Sequence, residues 1–469
     1  MKIIFYILLA YSILGIPSLA VSQAPNAEYS YSYPYQNGIP FTRFKERRQT
    51  ILQKHSPKCM IVSLSADIRN RQNDVNYEYR QNSNFFYLTG MPDAQAALIL
   101  SPGGIPHQGN LTKEIFFVLP RNMKKEVWEG TTMGIQEAGM LGIETVMDIT
   151  KLKDVIIEIL QGIDTIYFTG LPTQQVRIPL VEKPIAIETE LRNELQKKFP
   201  DLYVKTILPD LPIMREIKDD DELRMIKQAI DISMEGHKAA MKLAKPGITE
   251  YELEAMMEFT FKKLGAEEVG YASIMGASYN ACILHYTKNR KQTSDGDLIL
   301  ADCGAEYQNY TADITRTFPV NGKFTKEQKI IYDIVLEAAD SAIKECVIGK
   351  IFRAPHNAAK AVLIRRLKEI GLIENDEQIS WYFMHGTSHY LGLDVHDAGS
   401  GGVLKHNSVI TVEPGIYIPQ GSPCDKKWWN TGIRIEDDIL ITNQGPINLS
   451  EALPRTTSEI ETLMKSDSK

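Results

Sequence analysis

The 469-residue chain has five cysteines, Cys59, Cys282, Cys303, Cys346 and Cys424, widely scattered and without a Cys-x-x-Cys pair. That leaves neither a thiolate cluster for structural zinc nor an even disulfide framework, so the cysteines read as buried thiols. No long Lys/Arg run is present and the formal net charge is -7, which excludes a nucleic-acid footprint. No Gly-x-Ser-x-Gly motif occurs on a strand-turn-helix pattern, which disfavours a serine hydrolase. Short repeats and sustained heptads are missing as well. The apolar run from Ile3 to Ile16 falls short of the roughly 20 residues that a bilayer span needs.

That run is preceded by Lys2 and followed by Pro17 and the small residues Ser18, Ala20 and Ser22. A charged start, an apolar middle and a small-residue end predict a signal peptide over 1–22, cut after Ala20 or Ser22. The mature protein is then exported, to a bacterial periplasm or outside the cell, without a membrane anchor. Sequons stand at Asn110, Asn309 and Asn448. A glycan on Asn309 would crowd the acidic segment described below, which makes bacterial export the simpler reading.

A Tyr/Ser/Pro-rich linker occupies 23–40. FTRFKERRQTILQKH then predicts an amphipathic helix, and CMIVSLSA, FFYLTG, AALILS, IFFVLP and TIYFTG predict strands, with helical stretches around Lys151 to Leu160 and Glu188 to Lys198. Strands alternating with helices indicate an α/β domain over 41–208. Pro209 and Pro212 break structure next. The acidic run from Asp219 to Glu222 opens a helix carrying Leu223, Ile226, Ile230 and Met234, so a second domain is expected over 212–469.

In that second domain carboxylates sit at the ends of apolar strands. Asp302 ends DLILAD, and Asp313 follows eleven residues later in DCGAEYQNYTAD. On its own this segment reads as a hairpin, with EYQN as its loop and Asp313 solvated. Glu413 ends the strand of VITVEPGIYI. In GIRIEDDILIT, read as one strand, period-two alternation puts Arg434 and Glu436 on one face and Ile433 and Ile435 on the other. HGTSHYLGLDVHD adds His385, His389 and His396. Singly, each has a bland explanation: a strand cap, a backbone-bonded histidine, a surface ion pair. Buried carboxylates need counter-charge, however, and two Asp, two Glu and one His make a hard oxygen-rich set suited to paired divalent ions.

LADCGAEYQNYTADITRTFPVNGKF, MHGTSHYLGLDVHDAG, TVEPGIYI and GIRIEDDILIT resemble the aminopeptidase P and prolidase family of metallopeptidases, in the family's order. FKERRQTIL and YRQNSNFFYLTGMPDAQAALIL resemble the amino-terminal domain of bacterial aminopeptidase P. The resemblance runs from Phe41 to the C-terminal LPRTTSEIE. It implies an α/β amino-terminal domain followed by an α+β catalytic domain of the pita-bread (creatinase/aminopeptidase-like) fold. It makes Asp302, Asp313, His389, Glu413 and Glu436 ligands of two divalent ions, with Asp313 and Glu436 bridging. Mn²⁺ is the expected ion, with Co²⁺, Zn²⁺ and Fe²⁺ as alternatives.

The resemblance further implies that His285 in ILHYTKN, His385 and His396 are catalytic histidines, that Arg434 stands beside the last ligand, and that Glu413 relays a proton from a hydroxide shared by the ions. The implied activity is removal of the residue ahead of a proline in second position of a peptide, by a chain that forms a dimer or tetramer. Prolidase, acting on Xaa-Pro dipeptides with the same ligands, is the alternative. A non-catalytic peptide-binding relative is a more distant one, disfavoured because no ligand is lost.

Overall fold

The computed structural model describes residues 30–170, 175–176, 185–205 and 208–465. The expected signal peptide and its cleavage site lie outside them. Among the described residues no helix is long and apolar enough to cross a membrane.

The amino-terminal half is built on a six-stranded mixed sheet in the order Tyr203–Lys205, Thr165–Phe168, Cys59–Leu64, Ala97–His107, Asn110–Val118, Val146–Asp148. The predicted helix appears as Phe41–Lys54, burying Phe44 and Ile51. FFYLTG, expected as a strand, is instead the helix Ser83–Thr89. Asn82 caps it by accepting from the Phe85 backbone N–H, and Gly90 ends it in the left-handed region at φ 69°. These two end signals override the strand preference of the aromatic run. Pro212 does not break structure either: it lies in the first turn of the helix Asp210–Glu216, where a missing N–H costs nothing.

The acidic run then caps a helix as expected. Asp219 and Glu222 form a reciprocal capping box at the head of Asp220–Leu243, a 24-residue helix whose buried face carries Met225, Ile226, Ala229, Ile230 and Met234. It packs on Glu250–Lys263 and on the hairpin formed by Ala305–Tyr307 and Tyr310–Thr311. Gln308 and Asn309 at the tip have φ 49° and 69°, the geometry of a two-residue I′ turn.

Small antiparallel sheets make up the rest. Leu298–Asp302 lies between Ile274–Ala277 and Thr315–Pro319; Val409–Val412 pairs with Asp437–Thr442; Gly415–Ile418 pairs with Thr431–Arg434. GIRIEDDILIT is therefore two strands in two sheets, not one. The chain changes sheet at Ile435 and Glu436, whose N–H groups leave the ladder to bond Pro414 O and Thr315 O. HGTSHYLGLDVHD forms a loop, tied down by bridges from Tyr390 to Asp397 and Ile410.

Candidate metal centre

Asp302 closes a strand buried along its whole length, and Gly304 follows because a Cβ there would lie 1.9 Å from the Ala312 carbonyl oxygen. That close approach folds the hairpin back so that Asp313 returns beside Asp302. Both carboxylates reach one phenol, with Tyr271 Oη 2.6 Å from an oxygen of each. Asp313 is 5% exposed, so the solvated position expected for it in the bland hairpin reading is overturned; the hairpin itself is present.

The other elements bring their groups to the same point. His389 donates from Nδ1 to Tyr390 O at 3.0 Å, which aims Nε2 at Asp313 Oδ2, 3.2 Å away, and at Glu413 Oε1, 3.6 Å away. Glu413 is fixed by its backbone N–H to Thr387 O at 2.9 Å. Glu436 accepts from Thr315 Oγ1 at 2.6 Å, and donor atoms of Asp313, His389 and Glu436 lie within 4.8 Å of one another. A cavity of about 540 Å³ is lined by all nine residues singled out in the sequence, from His285 to Glu436.

Arg434 is buried and donates to Thr315 Oγ1, Tyr417 Oη and Asp302 Oδ2. Tyr417 Oη in turn lies 2.9 Å from His385 Nε2, while His385 Nδ1 donates to Gly386 O at 2.6 Å, so Nε2 is the acceptor. Burial, with Arg434 next in weight, pushes the His385 imidazole down to about 4 and keeps it neutral. His285 and His396 stand exposed at the mouth, their rings without hydrogen-bond partners among the described residues, and the His396 ring packs edge-on to His389 at 4.2 Å.

Electrostatically the cluster is short of positive charge. Burial raises Glu413 to about 7, although His389 and Arg434 pull it down. Burial and neighbouring carboxylates also raise Asp313 and Glu436. Burial alone would depress His389, but its hydrogen bond to Asp313 and the charges of Asp313 and Glu413 hold it up at about 9. Protons gather where cations would sit, so the donor set fits divalent metal.

Sequence reasoning missed Tyr271 and Tyr417. Tyr417 was within reach: Glu413, Gly415 and Tyr417 share one parity in TVEPGIYI. Nothing in the sequence marks Tyr271 as special.

Two family models match the chain: "Aminopeptidase P, N-terminal domain" over residues 44–167 and "Metallopeptidase family M24" over 224–443. Xaa-Pro aminopeptidase of Escherichia coli strain K12 is 34% identical over 90% of this chain and 97% of its own length. The chain belongs to the aminopeptidase P family of metallopeptidases. Its pita-bread architecture is shared with solved aminopeptidase P structures. An aminopeptidase from Pseudomonas aeruginosa superposes with a TM-score of 0.82 at 34% identity, covering 92% of this chain and 99% of that one. A zinc-substituted E. coli aminopeptidase P bound to product superposes with a TM-score of 0.81 at 33% identity, covering 91% and 98%.

Proposed function

We propose that the chain is an exported, divalent-metal-dependent aminopeptidase that releases the first residue from peptides with proline second. The observation that carries this reading is the convergence of Asp302, Asp313, His389, Glu413 and Glu436 with three further histidines in one cavity. Asp302, Asp313, His389, Glu413 and Glu436 would hold two divalent ions, Mn²⁺ being the expected metal. When bound, such ions supply Lewis-acid polarisation and a water acidic enough to lose its proton at neutral pH.

The remaining work falls to the chain's own side chains. Glu413, 3.5 Å from His385 and 3.6 Å from His389, takes a proton and returns it to the leaving proline nitrogen. His396 and His285, exposed at the mouth with ring nitrogens to spare, donate to the carbonyl oxygen as charge develops on it and to the substrate carbonyl beyond. Arg434 donates to Asp302 and holds its carboxylate in place to receive the substrate's free amino group. Residues 41–208 form the amino-terminal unit and 212–469 the catalytic one, assembled as a dimer or tetramer.

Metal-replete protein assayed side by side on Xaa-Pro dipeptides and Xaa-Pro-Yaa peptides tests the activity. Release of Xaa from the longer peptides is expected. Cleavage of dipeptides alone would make it a prolidase.

A further inference from the structure

A second cavity, of about 380 Å³, lies against the first. Phe352, Arg353, His356, Met384 and Thr387 line it, together with His385, Gly386 and Ser388, which line the catalytic cavity as well. Packed rings mark the same continuity. His356 stacks on Phe383 at 5.4 Å, Phe383 meets His385 edge-on at 5.0 Å, and His385 lies 5.5 Å from Tyr417.

The two cavities differ in charge. Asp302, Asp313, Glu413 and Glu436 face the first, whereas among the described residues no carboxylate lines the second. Arg353 is exposed at its rim, and among the described residues its side chain has no ion-pair partner. His356 Nδ1 lies 3.0 Å from Thr387 Oγ1; when the hydroxyl donates, the imidazole proton is on Nε2, which has no partner among the described residues. Ser388 Oγ is buried and likewise unpartnered. Phe352 and Met384 supply apolar walls.

We infer that this second cavity is a carboxylate-binding extension of the cleft, taking the residue that follows the proline. The inference rests on the aminopeptidase reading above. The residue after the proline lies about 3.5 Å of chain further along the cleft. The wall it meets beyond His385 offers a guanidinium able to bind a carboxylate with two parallel hydrogen bonds. The carboxylate can be the free C-terminus of a tripeptide or an acidic side chain in third position of a longer peptide.

Kinetics on metal-replete protein separate these sources. One arm compares an Ala-Pro-Ala free acid with its C-terminal amide; the other compares Ala-Pro-Asp-amide with Ala-Pro-Asn-amide. At least one anionic substrate should show a KM about 5- to 20-fold below its neutral partner, the scale of a charge-assisted hydrogen bond at a partly exposed site, and Arg353→Gln should bring that ratio to about one. The arm that responds identifies the source. Ratios near one in the unaltered protein, or ratios that survive Arg353→Gln, overturn the inference. Calorimetric binding of Pro-Ala and Pro-Ala-amide reads the same cavity without turnover. If no Xaa-Pro peptide is cleaved yet the acid binds more tightly in an Arg353-dependent way, the aminopeptidase reading fails and the carboxylate site stands; equal binding of acid and amide removes the site.

Discussion

Lys218 Nζ lies 3.0 Å from Asp397 Oδ2, and both side chains are 1% exposed. Asp397 immediately follows His396 and also receives Arg215, which bonds Asp394 and, through Asn84, the amino-terminal half. The loop carrying three site histidines is thus pinned by buried charge. Removing Lys218 takes one of two buried cations from Asp397, so Lys218→Met should cost about 1.5 to 3 kcal/mol, the scale of a hydrogen bond to a charged group, read as a lower urea midpoint with unchanged m-value. An unmoved midpoint would show that Arg215 alone neutralises Asp397.

Metal removal should abolish activity, and Mn²⁺ or Co²⁺ should restore it. Full turnover by protein shown to be metal-free would end the metal mechanism. Elemental analysis beside the assay is required.

The two neighbouring histidines should separate in the same experiment. His396→Ala should keep metal content and lower kcat by about 10²- to 10³-fold, the scale of losing one transition-state donor. His389→Ala should lose metal along with activity, with partial recovery in excess Mn²⁺. Equal metal loss in both variants contradicts the roles given to them.

His237 predicts a pH effect on stability. Its ring is fully buried, with Nε2 3.1 Å from Cys303 O, and burial, reinforced by Arg316 and opposed by Asp302, lowers it from 6.5 to about 4. Above pH 6.5 the ring is neutral folded and unfolded, and stability is full. As pH falls toward 4 only the unfolded chain takes the proton, so up to about 3 kcal/mol is lost across that window. His237→Gln, which keeps a donor for Cys303 O, should flatten the unfolding curve between pH 6.5 and 4 relative to the parent; parallel curves would refute it.

Gly304→Ala should fail outright. Its Cβ meets backbone, not a side chain that can swing away, 1.9 Å from Ala312 O. A loss of at least about 3 kcal/mol, or no soluble protein, is expected. Normal melting would mean that the hairpin can shift.

The site was legible because each of its carboxylates ends or interrupts an apolar run, as Asp302 does after Leu298–Ala301 and Glu413 after Val409–Val412, and a charge there needs an explanation. The alternation of Arg434 and Glu436 against Ile433 and Ile435 survives although the strand breaks between them, since Ile433 and Ile435 are fully buried and the charged pair lines the cavity. The break itself was hidden, because it depends on Pro414 and Thr315, distant in sequence, drawing away two N–H groups. Tyr271 was hidden for a similar reason: a phenol in an apolar run becomes a polar group only when Asp302 and Asp313 are brought to it.

The hairpin also dictates an order of assembly. Asp302 and Asp313 are brought side by side by a loop of a few residues, whereas His389, Glu413 and Glu436 must be delivered across long stretches of chain. Loop closure therefore favours formation of the acidic pair before its imidazole arrives. A cation captured at that stage relieves the repulsion and rewards each later ligand as it docks. Metal supplied from the start of refolding would then act as a template for the fold, where metal added afterwards would only fill a finished cavity.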